Sequence, residues 1–156
     1  MAIFQITRDL PLPAAEAWRR LTAWERHGDV VPLTRVAVRT PPPTHVGTVF
    51  VARSALGPVG FDDVMEVVEW SPPDGTAPGR CRLEKRGTLV TGWAEIEVYP
   101  AHGPGSALVW REDLRVRWLP ALFDGVLAAV ARRMFGGAAD RLIAAGPVPV
   151  PSGSRP

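Results

Sequence analysis

Glu112 and Asp63 are the residues of this sequence most suited to acid–base chemistry, because each is a carboxylate set in an apolar, strand-forming stretch. In Ala107–Trp118 side chains alternate: Trp110, Glu112, Leu114, Val116 and Trp118 share one face, and Val109, Arg111, Asp113, Arg115 and Arg117 the other. The first set is the apolar one and is expected to point inward, which leaves Glu112 among large apolar neighbours. A carboxyl group so placed costs several kcal/mol unless it is paired, hydrated or protonated. Its pKa rises toward the range useful for a general acid or base. In Phe61–Trp70 the faces are Phe61, Asp63, Met65 and Val67 against Asp62, Val64, Glu66 and Val68, and alternation alone leaves open which is buried.

Other chemistries lack their motifs. The chain has no HExxH, no paired CxxC, no GxxxxGK[ST], no GxSxG and no GxGxxG. His27, His45 and His102 stand far apart in loop-like contexts and read as solvated side chains, so neither a metal nor a nucleotide cofactor is expected. Cys81 has no cysteine partner and lies in an alternating run, which predicts a buried, inert thiol. Lys85 is the only lysine among 18 basic residues; the rest are arginine. Acids and bases are interspersed and the net charge is +2, so the arginine-rich face of Arg80, Arg82, Arg86, Arg111, Arg115 and Arg117 is expected to meet water rather than nucleic acid. No run approaches the ~18 apolar residues of a membrane span, and MAIFQITRDL lacks the pattern of an export signal. A cytoplasmic location without an integral membrane segment is expected.

The elements that must position these residues follow from periodicity. Ala2–Arg8 alternates as a strand and stops at Pro11 and Pro13; Pro13 then opens a helix whose stripe is Ala14, Ala17, Trp18, Leu21 and Trp24. Glu25–Val31 adds a short helix broken by Gly28 and Pro32. Strands follow at Thr34–Thr40, Gly47–Ser54, Phe61–Trp70, Arg80–Arg86, Val90–Tyr99 and Ala107–Trp118, with a tight hairpin at Leu56–Gly60. Such close spacing predicts an antiparallel meander. After Pro120, the residues Phe123, Val126, Leu127, Val130, Met134, Ala138 and Leu142 recur at helical spacing, so a long C-terminal helix should cover the apolar sheet face. Gly136 and Gly137 weaken that helix by about 1 kcal/mol each. The tail from Gly146 to Pro156 is expected to be disordered.

This order resembles the SRPBCC superfamily, the START and Bet v 1-like helix-grip fold with its polyketide cyclase/dehydrase and lipid-transport branch. The resemblance covers residues 1–145. It is carried by Pro13 and Trp18 in the first helix, Val46-Gly47-Thr48, the stretch Glu66-Val67-Val68-Glu69-Trp70-Ser71-Pro72-Pro73, and Val109-Trp110-Arg111-Glu112. It implies an α+β fold, a curved six- to seven-stranded antiparallel sheet around a long C-terminal helix, with an apolar cavity between them. It also implies a core position at Val67, which turns Asp63 inward, where Lys85 or water could partner it. The expected cavity wall is Met65, Gly92, Ala94, Trp110, Leu114, Phe123, Val130 and Met134, with Gly92 and Ala94 leaving room for a ligand. The leading expectation is a binding or carrier protein for a small hydrophobic ligand: lipid, aromatic polyketide, isoprenoid or quinone. The alternative is an aromatase/cyclase-like enzyme using Glu112 and Asp63 as acid/base groups. A third is a protein-binding role, whose sign would be an exposed apolar patch.

Overall fold

Strand alternation builds most of this chain, and the computed structural model, which describes residues 2–148, places β1 at Ala2–Leu10, β2 at Thr34–Val38, β3 at Val49–Leu56, β4 at Val59–Ser71, β5 at Gly79–Arg86, β6 at Val90–Pro100 and β7 at Ser106–Val116. All pairings are antiparallel, in the order β1-β7-β6-β5-β4-β3-β2. The meander from β2 to β7 is thus completed by β1, which pairs with the last strand. Helices α1 (Ala14–Leu21) and α2 (Trp24–Val30) fill the connection between β1 and β2, and α3 (Asp124–Ala144) follows a single 3-10 turn at Ala121–Phe123. The expected helix-grip architecture is the one observed. Most of the tail expectation concerns residues 149–156, which lie outside the described residues.

Several local expectations are corrected. Gly28 does not break α2 but lies within it; a Cβ there would stand 3.0 Å from the Val36 amide nitrogen, so the glycine lets α2 lie close on β2. Trp24 begins α2 instead of ending α1. Gly136 is buried in α3, where a Cβ would come closest to Arg8 Nη2, the end of a flexible side chain, at 3.1 Å. In β4 the register slips between Val67 and Glu69, inserting Val68 as a bulge. The bulge resets the alternation, so Val67 and Trp70 both point into the core, and the Trp70 ring lies 5.0 Å from that of Trp18.

The core runs from Phe4, Ile6, Ile96, Val98 and Leu108 on the sheet to Trp18, Leu21 and Trp24 on the first helices. At its C-terminal end α3 is held by Arg20, which bonds Glu16 at 2.8 Å within α1 and also donates to the Ile143 carbonyl. Arg8 reaches Asp140 at 3.0 Å from β1. The helix therefore packs tightly by its second half, through Ala138, Ala139, Leu142 and Ile143. In its first half only Ala131 is buried, and the cavity lies beneath that half. Val130, expected in the most buried stripe, is 59% exposed, and Phe123 is 43% exposed. On the outer sheet face the arginines meet carboxylates: Arg82 with Glu84 and Glu95, Arg86 with Glu66, Arg111 with Glu97, and Arg115 with Asp113. Trp93 shares that face beneath Arg82, 4.7 Å from its guanidinium carbon. No helix among the described residues is long and apolar enough to cross a membrane.

Candidate functional site

Between the first half of α3 and the curled sheet, a cavity of about 230 Å³ opens, lined almost entirely by apolar side chains from every strand but β1 and from α2 and α3. Met65, Ala94, Trp110, Leu114, Val130 and Met134 all border it, and so do Asp63 and Glu112. Gly92 and Phe123 do not line it. Gly92 adopts φ +124°, and a Cβ there would lie 2.0 Å from the Asp113 carbonyl oxygen. Its small size thus serves the close approach of β6 to β7, and leaves no extra space inside. Phe123 lies in the 3-10 turn, ahead of the part of α3 that reaches the cavity. Trp118, given an inward position by parity, is beyond the end of β7 and exposed. Among the lining residues, Phe61 and Val130 are exposed, so the mouth opens between the β3–β4 hairpin and the first half of α3.

The charged part of the wall comes from β4, β5 and β7, with β6 lying between the last two. Lys85 on β5 is 6% exposed and donates to Asp63 Oδ2 at 2.6 Å and to Glu112 Oε1 at 3.1 Å. Trp110 Nε1 donates to Glu112 Oε2 at 3.2 Å. The register explains the meeting: Met65 pairs with Lys85, Lys85 with Gly92, and Gly92 with Leu114, so Asp63 and Glu112 sit one same-face step from this row. Burial pushes the Glu112 carboxyl above its usual range, against the pull of Lys85. Burial also works against the Lys85 ammonium, but the charges of Glu112 and Asp63 outweigh it and hold that group above its usual range. Lys85 is accordingly a charged donor and not a free amine nucleophile. Asp63 Oδ1 is buried with no hydrogen-bond partner among the described residues.

The structure also corrects one histidine. His27 is not a solvated loop side chain; it lies in α2, borders the cavity, and donates from Nε2 to the Leu21 carbonyl at 2.8 Å. Burial lowers its pKa, partly offset by that hydrogen bond. The missed signal was its spacing of three from Trp24, one helical turn on the inward face. Trp24 stacks on Phe50 with ring centres 4.6 Å apart, and His27 lies between Trp24 and Trp110, so one wall of the cavity is aromatic. Cys81 is buried, its thiol pushed up to about 12 by burial and by Glu69.

A seven-stranded sheet gripping a C-terminal helix around an internal apolar cavity defines a helix-grip, ligand-binding class of domain. The chain belongs to the polyketide cyclase / dehydrase and lipid transport family, which matches residues 1–145. Solved structures of low identity share the fold. A START superfamily protein from Mycobacterium smegmatis has a TM-score of 0.69 at 11% identity, over 92% of this chain and 99% of that one. The lipid transfer and protein localization domain of human StarD13 (DLC2) gives 0.69 at 9% identity, over 90% and 76%. The Zhui aromatase/cyclase from Streptomyces sp. R1128 gives 0.55 at 16% identity, over 92% and 87%. Among curated proteins none matches the chain.

Proposed function

We propose that this protein binds and carries a small hydrophobic molecule in the cavity between its sheet and α3. The observation that supports it is the apolar cavity itself, about 230 Å³ in volume with its mouth rimmed by Phe61 and Val130. A protein interior is close-packed, so a void of this size costs stability that a ligand restores. An apolar cavity of about 150 Å³ holds benzene, so this volume suits a one- or two-ring head or a short isoprenoid unit. A longer chain would pass out through the mouth. The test is native mass spectrometry on protein purified from cells, followed by extraction of the bound molecule and titration with a fluorescent hydrophobic probe. One-to-one, saturable binding to folded protein supports the carrier reading. Probe uptake only as circular dichroism reports unfolding would overturn it.

One observation favours a second reading, a cyclase-like enzyme: Glu112, with its raised pKa, borders the same cavity as Asp63. Enolisation and aldol closure need a positioned acid/base group and a shaped, water-poor space. Under this reading Glu112→Gln abolishes turnover of a poly-β-ketone mimic while ligand still binds; under the carrier reading it changes only affinity.

A further inference from the structure

We propose that the groove between the free edge of β1 and α3 binds an extended, acidic segment of a partner protein, which adds to the sheet as a further strand beside β1. None of the residues lining this groove lines the cavity, so the site is separate from ligand carriage.

An open sheet has two edges, and an uncovered edge presents backbone donors and acceptors with which another chain can pair. The two edges of this sheet differ. β2 is only five residues long, and α2 lies so close against it that a Cβ on Gly28 would stand 3.0 Å from the Val36 amide nitrogen. β1 is nine residues long, pairs with β7 at every position without a bulge, and holds no proline. In an antiparallel pair every second residue turns both its N–H and its C=O away from the neighbouring strand. Among the described residues no backbone group of β1 has a backbone partner outside β7. The one side chain that bonds to its backbone is local: Arg8 donates to the Thr7 carbonyl. β1 therefore has none of the proline, bulge or short length that blunt a sheet edge.

α3 runs beside β1 on its inner side, with Phe135 stacked on Phe4 and Asp140 bonded to Arg8. Between strand and helix lies a groove of about 530 Å³. Ile3, Gln5 and Thr7 form its strand wall, and on the helix side Ala128 and Ala129 put no bulky side chain in the way of an added strand. Its charges are both positive. Arg8 is shared with Asp140, whereas Arg132 is exposed and has no hydrogen-bond or ion-pair partner among the described residues. No carboxylate lines the groove among the described residues. A second copy of this chain is a poor occupant, because its β1 would bring another Arg8 toward these two arginines. A strand with acids at alternate positions meets them with opposite charge. Its other face lies beside Ile3, which is 52% exposed, and suits apolar, β-branched residues. Main-chain pairing supplies the attachment and the alternate side chains the selectivity.

The experiment uses a fluorescein-labelled hexapeptide, Thr-Glu-Val-Glu-Val-Thr, and its forms with glutamine or lysine in place of both glutamates. Fluorescence anisotropy on the folded protein should show one-to-one binding, with the glutamine peptide about fivefold weaker, the worth of one good surface ion pair. Arg132→Gln should bring the glutamate peptide to the level of the glutamine one, and Arg132→Glu should make the lysine peptide the tightest. Both variants change an exposed side chain and leave the fold intact. Two further peptides carry N-methyl groups on alternate amides, one set on each edge of the extended chain. One of them should lose at least tenfold in affinity and the other bind like the parent, because only one edge pairs with β1. Bound peptide should also slow hydrogen exchange in β1. Absence of saturable binding, equal affinity for glutamate and lysine peptides, or two methylated peptides that both bind like the parent would each overturn the inference. So would ultracentrifugation showing a dimer whose formation slows exchange in β1 without peptide, since a second copy would then hold the edge. Uptake of a hydrophobic probe by the cavity is a separate measurement, so failure here leaves the carrier reading standing.

Discussion

Replacing Lys85 by methionine keeps the length of the side chain and removes the one cation of the cavity cluster. Asp63 loses a 2.6 Å partner and Glu112 a 3.1 Å partner, while both stay in a site where the Glu112 and Lys85 side chains are each only 2% exposed. Removing one member of a buried ion pair costs about 3–5 kcal/mol, because the charge left behind is no longer compensated. A domain of this size has roughly 5–15 kcal/mol in total, so the variant should fold but with a melting temperature lower by about 6–20 °C. The deficit has a pH signature. The raised pKa of Glu112 means that its contribution to stability is present below its unfolded value of about 4.3 and is lost as pH rises through the folded value. Lys85, also raised, stabilises the fold below its unfolded value of about 10.4, and that contribution is lost as pH rises through the folded one. Without Lys85 the Glu112 carboxyl loses the charge that pulled it down, takes up its proton at higher pH, and the deficit narrows on acidification. Urea denaturation of wild type and Lys85→Met at pH 7.5 and pH 5 measures this directly. The triple variant Lys85→Met, Asp63→Asn, Glu112→Gln, with no charge in the cluster, should recover most of the loss. A deficit below about 1 kcal/mol at pH 7.5, or one that does not shrink at pH 5, would show that the cluster is solvated and the reasoning wrong.

Gly92→Ala should destabilise by about 3 kcal/mol or more, since φ is +124° and the new Cβ would stand 2.0 Å from a backbone oxygen; denaturant midpoints within about 1 kcal/mol of wild type would contradict the close approach. Val130→Asp, at the exposed rim of the mouth, should change stability by less than about 1 kcal/mol yet weaken uptake of a hydrophobic probe, which a fluorescence titration would show. His27→Phe should remove an acid-sensitive component of stability. The lowered pKa of His27 means that its contribution is present above the unfolded value of about 6.5 and is lost as pH falls toward the folded one, so stability measured from pH 7.5 to pH 5 should fall less steeply in the variant.

Period-two alternation is a local property, and it placed Glu112 on the cavity face beside Trp110 and Leu114 without any knowledge of the neighbouring strands. The strand spacing and the apolar stripe after Pro120 were equally local and carried the helix-grip fold. Four features depended on contacts between distant residues. The bulge at Val68 resets the inward face of β4, so Val67 and Trp70 both reach the core. Gly92 is required by the backbone of β7, a partner more than twenty positions away in the chain, and not by a ligand. The phase of α3 was visible in its apolar positions, but its apolar arc is broad. The anchoring of its second half to β1 and α1 decides that Ala138 and Leu142 are buried while Val130 borders the mouth. Last, sequence alone made Lys85 a possible partner for Asp63, but only the lateral register of β4, β5, β6 and β7 sets its ammonium between Asp63 and Glu112. Alternation fixes which way a side chain points along its own strand; which charges then meet across a sheet is decided by strand pairing, and that exists only once the chain has folded.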